Sequence, residues 1–311
     1  MLLQNPQYLT ILEDLHSPQD LTSELIAKKA VDAFAIVLEE SFERYSHMSD
    51  FVLALKTAKD ELIAACPNQP CKTNALTIVF NEKEMLNFTE MKKIYAHIAG
   101  KISYVKRHFE KVYTDLSRLG SRKIHDDMII FTHSASSTVL NIILDAHTIG
   151  TDFEVATVEN RPYLYGRKMA KMVSKHNIPV SHYVDSAMRL AVKNVDVVLL
   201  GCDVIDHAGK FYSKIGSELV CEVAKRYKIP VYICTDSWKF DPNAQHIWAD
   251  VHKNMNGKEV WDEAPKGVAV KNFAFEKIDP KLIDGIICEF GILTPEQFFD
   301  KMHDEYPSLF F

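Results

Sequence analysis

No stretch of this sequence stays apolar for the ~20 residues that a membrane helix requires. The opening residues, MLLQNPQYLT, carry neither the basic start nor the long apolar core of a secretory signal. A soluble, non-exported, cytoplasmic protein with no membrane partner is the expectation. A basic excess is missing too: 36 Lys and Arg stand against 42 Asp and Glu, for a net charge of −6. Dedicated nucleic-acid binders carry the opposite bias, so no direct nucleic-acid partner is expected. Cys66 and Cys71 flank the turn-like PNQP, a loose spacing for zinc with no second pair nearby. Cys202, Cys221, Cys234 and Cys288 sit in apolar runs, where a thiol behaves as a small hydrophobe. No metal, no cofactor and a reducing compartment are therefore expected. Internal repeats and low-complexity linkers are also lacking.

What is present is enough for a large core: 311 residues, 47% hydrophobic and 25% charged. Up to about Gly120 the pattern is helical. Ser17-Pro18 reads as an N-cap followed by proline in the first turn. Leu21, Leu25, Ala30, Ala33, Phe34, Val37 and Leu38 then recur at helical spacing. A second helix is expected over 50–65, ended by the two prolines of 66–73. TNALTIVFN (73–81) fits a short strand or a helical turn. A long helix is expected over 89–119, with Gly100 inside it as a kink or a close helix contact.

From Lys123 short apolar runs alternate with helix-length segments. The runs are MIIF (128–131), FEVATV (153–158), VSHYV (180–184), VDVVLLG (195–201), VYIC (231–234) and LIDGIIC (282–288). Strands that are apolar throughout and separated by helices indicate βαβ units and a parallel sheet covered on both faces. The fold class is thus α/β, with a helical domain over 1–122 and a sheet domain over 123–311. Residues 243–272 read as a long irregular excursion.

In an open parallel sheet, ligands bind beyond the carboxyl ends of the strands. The residues there are THSASST, ENRPYLYGR, DSA, CDVID and TDSWKF. Backbone N–H groups and serine hydroxyls at the start of a helix suit a phosphate. N-capping explains one of the hydroxyls in THSASST and leaves the others unaccounted for. Arg161 can grip phosphate or carboxylate, or pair with Glu159. Asp203 can transfer a proton or cap a turn; capping is the favoured role for Asp185 and Asp236. Lys214 can reach a phosphate, with Gly216 permitting a close approach and Ala208-Gly209 turning the chain before it. His133 is a general base or, by preference, a structural hydrogen-bonder.

THSASST, ENRPYLYGRKMA, VDSA, GCDVI, SKIGS, DSWKFDP and EFGILTP occur in this order. Together they resemble the alpha, beta and delta subunits of translation initiation factor 2B and their enzyme relatives. Those relatives are ribose-1,5-bisphosphate isomerase and methylthioribose-1-phosphate isomerase. The likeness covers about residues 90–311; the earlier residues share only helical character. It implies an N-terminal helical domain, a Rossmann-like C-terminal domain that forms a homodimer, and a phosphorylated sugar in the cleft between them. In the isomerases a cysteine and the aspartate of a GAD motif move hydrogen between two sugar carbons. The aspartate corresponds to Asp203 and the cysteine to Ser134, a much weaker acid than a thiol. The factor subunits also lack the cysteine. The isomerases' RGA-type phosphate loop has no counterpart before residue 90, and their NKIGT reads SKIGS, with Ser213 for asparagine and Lys214 kept.

Two functions follow from the resemblance. The first is a homodimeric protein that binds a sugar phosphate or nucleotide monophosphate and can dock on initiation-factor subunits. His133, Ser134, Ser136, Arg161, Ser213 and Lys214 would line the anion site, and Asp203 would bind sugar hydroxyls. The second is an aldose–ketose isomerase with Asp203 and Ser134 as the catalytic pair.

Overall fold

Ala27, Ala30, Val31, Phe34, Val37 and Leu38 recur at three- and four-residue spacing. In the computed structural model of the protein they are the buried face of one α-helix. The structure describes residues 5–17, 22–206, 209–241 and 255–306. Its contacts divide the chain into two units, Met1–Lys111 and Val112–Phe311.

The first unit is helical: α1 (Pro6–His16), α2 (Ser23–Arg44), α3 (Met48–Ala65), α4 (Pro70–Val79), α5 (Glu82–Met85) and the first two thirds of α6 (Met91–Ser121). Ser17 is not a helix start, contrary to the sequence reading. It closes α1, its backbone N–H donating to the Glu13 carbonyl, and α2 opens on Thr22, whose hydroxyl accepts from Leu25 N–H at 3.2 Å. Pro18 and Leu21 lie outside the described residues, as do Ala208 and 243–254. Of the segment 73–81, residues 73–79 are helix and none is strand. Pro70 opens α4, and Cys71, Ala75, Leu76 and Val79 are buried on it. Gly100 is not a close helix contact: a Cβ there would meet nothing within 4 Å.

Lys72 shows how α3 ends. Its side chain is fully buried, and its ammonium donates to the carbonyls of Leu62 and Ile63 at 2.8 Å and to that of Cys66. These are carbonyls that a helix end leaves unpaired. Burial pulls the ammonium down to about 8. Lys72→Met keeps the length and removes the donors. It is expected to destabilise the chain by about 2–3 kcal/mol, read from the urea midpoint; an unchanged midpoint would show that water satisfies the three carbonyls equally well.

The second unit carries a seven-stranded sheet in the order β11-β10-β7-β4-β1-β2-β3. The strands are β1 (Met128–His133), β2 (Phe153–Val158), β3 (Val180–Tyr183), β4 (Val197–Gly201), β7 (Val231–Cys234), β10 (Gly285–Cys288) and β11 (Gly291–Leu293). All neighbours are parallel except β10 and β11. Between the strands lie α7 (Ser137–Thr148), α8 (Tyr165–Ser174), α9 (Met188–Val192) and α10 (Ser217–Tyr227), with α11 (Pro295–Glu305) after β11. Ile130, Val155, Val197 and Leu199 pack with α7 and α8 on one face. Phe131, Ala156, Val198 and Leu200 pack with α9 and α10 on the other. This is why the strands read as continuous apolar runs.

A second sheet was not foreseen. Its order is β8-β5-β6-β9, formed by Val204–Asp206 (β5), Phe211–Lys214 (β6), Phe240–Asp241 (β8) and Phe275–Ile278 (β9). The described part of the irregular excursion, 255–272, contains one short 3-10 turn at Gly257–Glu259.

Candidate functional site

The sheet order reverses direction between β1 and β4, so their carboxyl ends flank a crevice of the kind that holds ligands in open α/β sheets. The two strand exits approach closely. A Cβ at Gly201, the last residue of β4, would lie 2.6 Å from Ser136 Oγ. Ser136 is the N-cap of α7, accepting from Val139 N–H at 3.3 Å. Capping therefore accounts for one hydroxyl of THSASST, as the sequence suggested.

Ser134 is the unusual one. Its φ is 67°, left-handed backbone in which a non-glycine residue stores roughly 1–3 kcal/mol. Its Oγ and Thr132 Oγ1 are buried and make no hydrogen bond among the described residues. Each such hydroxyl costs about 1–3 kcal/mol. Strain and unpaired polar groups thus concentrate on the exit of β1.

Beyond the exit of β4, β5 and β6 form an antiparallel pair, with Val204 opposite Tyr212 and Ile205 opposite Phe211. The pairing brings GCDVI and SKIGS together. Asp203 N–H donates to the Tyr212 carbonyl at 2.9 Å, and the Lys214 ammonium donates to Asp203 Oδ1 at 3.2 Å. Both side chains keep some solvent contact. The ammonium also lies 3.9 Å from the centre of the Phe275 ring, a cation–π contact. Ser213 donates its hydroxyl proton to the Gly201 carbonyl at 3.0 Å, which ties β6 to the exit of β4.

His133 is buried, and both ring nitrogens are engaged within the protein. Nδ1 lies 3.2 Å from Ser217 Oγ, and Nε2 lies 3.2 Å from Asn160 Nδ2. Burial pulls the imidazole down to about 4, only partly opposed by Asp185, so it is neutral near pH 7. Gly216, with φ of 99°, is required beside it: a Cβ there would lie 2.8 Å from His133 Nε2.

Arg161 is brought less far in. Its side chain is exposed and donates to the Val260 carbonyl at 3.1 Å. Arg167 takes the pairing with Glu159 instead. Asp185 accepts from the backbone N–H groups of Asn160 and Arg161 at 2.7 and 2.8 Å, and so fixes the turn after β2.

Sequence reasoning missed four residues here. Asn160 and Ser217 contact His133. Lys239 is buried and donates to the Cys202 carbonyl at 2.8 Å, one residue from Asp203; its position just after a strand exit was the available signal. Glu289 follows β10 and accepts from Ser237 N–H at 3.2 Å and from its hydroxyl. Burial, and then the nearby charge of Asp236, push its carboxyl up to about 7. Among the described residues no cluster of three or more His, Cys, Asp or Glu could hold a metal ion, and no helix is long and apolar enough to cross a membrane.

The profile of the Initiation factor 2 subunit family matches residues 20–295. A ribose 1,5-bisphosphate isomerase of Thermococcus kodakarensis is 27% identical over 96% of this chain and 95% of its own length. A putative translation initiation factor eIF-2B subunit 2-like protein of Pyrococcus furiosus is 26% identical over 92% of this chain and 95% of its own. The crystal structure of the Pyrococcus horikoshii OT3 translation initiation factor eIF-2B superposes with a TM-score of 0.76 at 23% identity, covering 94% of this chain and 98% of that one. Its likeness extends to the fold foreseen from sequence, helices followed by a Rossmann-like sheet.

Proposed function

The chain belongs to the Initiation factor 2 subunit family, and from that membership we propose that it is a homodimer that binds a phosphorylated sugar at the carboxyl edge of its parallel sheet. The observation that carries this reading is Ser134. It is a buried hydroxyl on left-handed backbone, with no hydrogen bond among the described residues, at the reversal point of the sheet. A ligand that hydrogen-bonds there offsets both costs. Ser134, Ser136, Lys214 and the first turn of α7 hold the phosphate, with Arg161 at the margin. Asp203 accepts from sugar hydroxyls, and Ser213 and His133 shape the wall.

Thermal shift is the test. Ribose 1,5-bisphosphate, ribose 5-phosphate or adenosine monophosphate is expected to raise the melting temperature in a concentration-dependent way. At a hundredfold excess over Kd the stabilisation is about 2.7 kcal/mol. Lys214→Met should weaken the response at least tenfold. If none of the three ligands moves the transition, the binding reading is wrong. Light scattering decides the homodimer.

A second reading has support of its own. The Thermococcus kodakarensis relative bears an isomerase name and aligns over nearly the whole chain, and Asp203 stands at a strand exit with a cation beside it. On that reading Asp203 moves the proton between sugar carbons, with Ser134 in the place of a thiol. Proton NMR of ribose 1,5-bisphosphate should then show conversion that falls about 10²-fold or more in Asp203→Asn; equal turnover in the two proteins would remove the reading. A translation role is supported by the factor-like relative, and capture of initiation-factor subunits by the full chain would separate it from both.

A further inference from the structure

Four hydrogen-bond acceptors at the strand exits fix the orientation of one side chain without reference to any ligand. The Ile215 carbonyl can only accept, so the Asn160 side-chain atom 3.0 Å from it is Nδ2. The Lys214 carbonyl can only accept, so Ser217 spends its single proton there, at 2.7 Å. Toward His133, Ser217 Oγ is then an acceptor, and Nδ1 carries the proton. The ring is neutral, so Nε2 presents its lone pair to the second proton of Asn160 Nδ2, at 3.2 Å. Both amide protons of Asn160 are thereby used within the protein. Its Oδ1 is buried and accepts no hydrogen bond among the described residues.

The backbone holds the same arrangement. Asn160 has φ of 59°, a region asparagine tolerates better than most residues, and Asp185 grips its N–H at 2.7 Å. The amide thus cannot turn over without placing its oxygen against the Ile215 carbonyl.

We infer that Asn160 is a specificity-determining residue whose Oδ1 accepts a hydrogen bond from a ring hydroxyl of the bound sugar phosphate, with His133 as the neutral positioning residue that holds the amide for it. This rests on the sugar-phosphate reading above and adds to it a preference: the site demands a hydroxyl and rejects the deoxy sugar. Inorganic phosphate satisfies the anion site and leaves Oδ1 unmet. A site built around a fixed acceptor discriminates strongly against a ligand that lacks the donor.

Calorimetric titration of the full chain with inorganic phosphate, ribose 5-phosphate, 2-deoxyribose 5-phosphate and 3-deoxyribose 5-phosphate tests it. One of the two deoxy sugars is expected to bind about tenfold or more weaker than ribose 5-phosphate. In Asn160→Gly, which keeps the positive φ available, the ratio should collapse toward one while the phosphate Kd moves less than about threefold. His133→Gln supplies a neutral donor and acceptor in place of the ring, and the ratio should survive in it. Equal binding of all three sugars to the unaltered protein overturns the inference without needing a variant, and assigns Oδ1 to an internal water. A ratio that persists in Asn160→Gly, or is lost in His133→Gln with the fold intact, also overturns it. If phosphate binds and ribose 5-phosphate binds no better, Asn160 is not a sugar ligand and the anion site stands. If neither binds, the pocket reading falls and this inference falls with it.

Discussion

Gly166→Ala is expected to cost the chain more than about 4 kcal/mol, enough to unfold the second unit or strip α8 from the sheet. A Cβ at this position would lie 1.6 Å from the Val158 carbonyl oxygen, 2.8 Å from its carbon and 3.1 Å from the Glu159 oxygen. All three are backbone atoms at the exit of β2, so no rotamer change relieves the clash. The helix is also pinned there, because Gly166 N–H donates to the Glu159 carbonyl at 3.1 Å. Any outward shift of α8 displaces the turn that carries Asn160. Gly100→Ala is the internal control. It sits within α6 with nothing within 4 Å of the new atom, and should stabilise by about 0.5–1 kcal/mol. Denaturant midpoints of the two variants should move in opposite directions. A Gly166→Ala midpoint within experimental error of the parent would mean that α8 does not pack on β2 in this way.

Glu289→Gln should change how stability depends on pH. The carboxyl is pushed up to about 7, first by burial and then by Asp236, although the residue keeps some accessible surface. The Ser237 N–H and hydroxyl act the other way by favouring the anion. The folded chain therefore holds a proton that the unfolded chain, with an ordinary value near 4.3, has already released. The stabilisation is fully present below about pH 4.3 and is lost as pH rises through 7. At most about 4 kcal/mol is at stake. Glutamine keeps an acceptor for Ser237 and cannot ionise. The difference in midpoint between the two proteins should swing in favour of the variant between pH 5 and pH 8. The buried His108 and His133, both pulled down to about 4, act in the opposite direction. They stabilise above about 6.5 and lose that contribution as pH falls, and they cancel in the comparison because both proteins contain them. A difference that is flat across this range would show that Glu289 ionises normally.

The large sheet was legible because its inner strands are mostly buried on both faces and mainly apolar, as in VVLLG and, apart from the exposed Glu154, FEVATV. The small sheet was hidden by the same rule. Its strands are two to four residues long and include FD and FEKI, too short and too charged for any period to emerge. TNALTIVFN stayed ambiguous between strand and helical turn, because its β-branched residues suit a strand while the proline before it starts a helix. Within the site, Asp203 and Lys214 stood out singly as ionisable residues beside strand ends. Their contact depends on the antiparallel pairing of β5 with β6, of which the sequence reading held only the Ala208-Gly209 turn. The group of His133, Asn160 and Ser217 was harder still. It joins positions 27 and 84 residues apart, and none of the three is charged at neutral pH in its setting.

The β5–β6 ladder has a consequence for whatever approaches Asp203 and Lys214. The two charges sit at the open end of one antiparallel pair, so their spacing is set by hydrogen-bond register and not by a flexible loop. Val204 opposite Tyr212 sets position 203 against Ser213, one residue short of Lys214, and the lysine stem spans that offset to bring the ammonium 3.2 Å from the carboxylate. The pair behaves as a ruler of fixed length with a negative and a positive end. A ligand that engages one end meets the other at a set distance, and selection by charge becomes selection by the separation of two groups on the same small molecule.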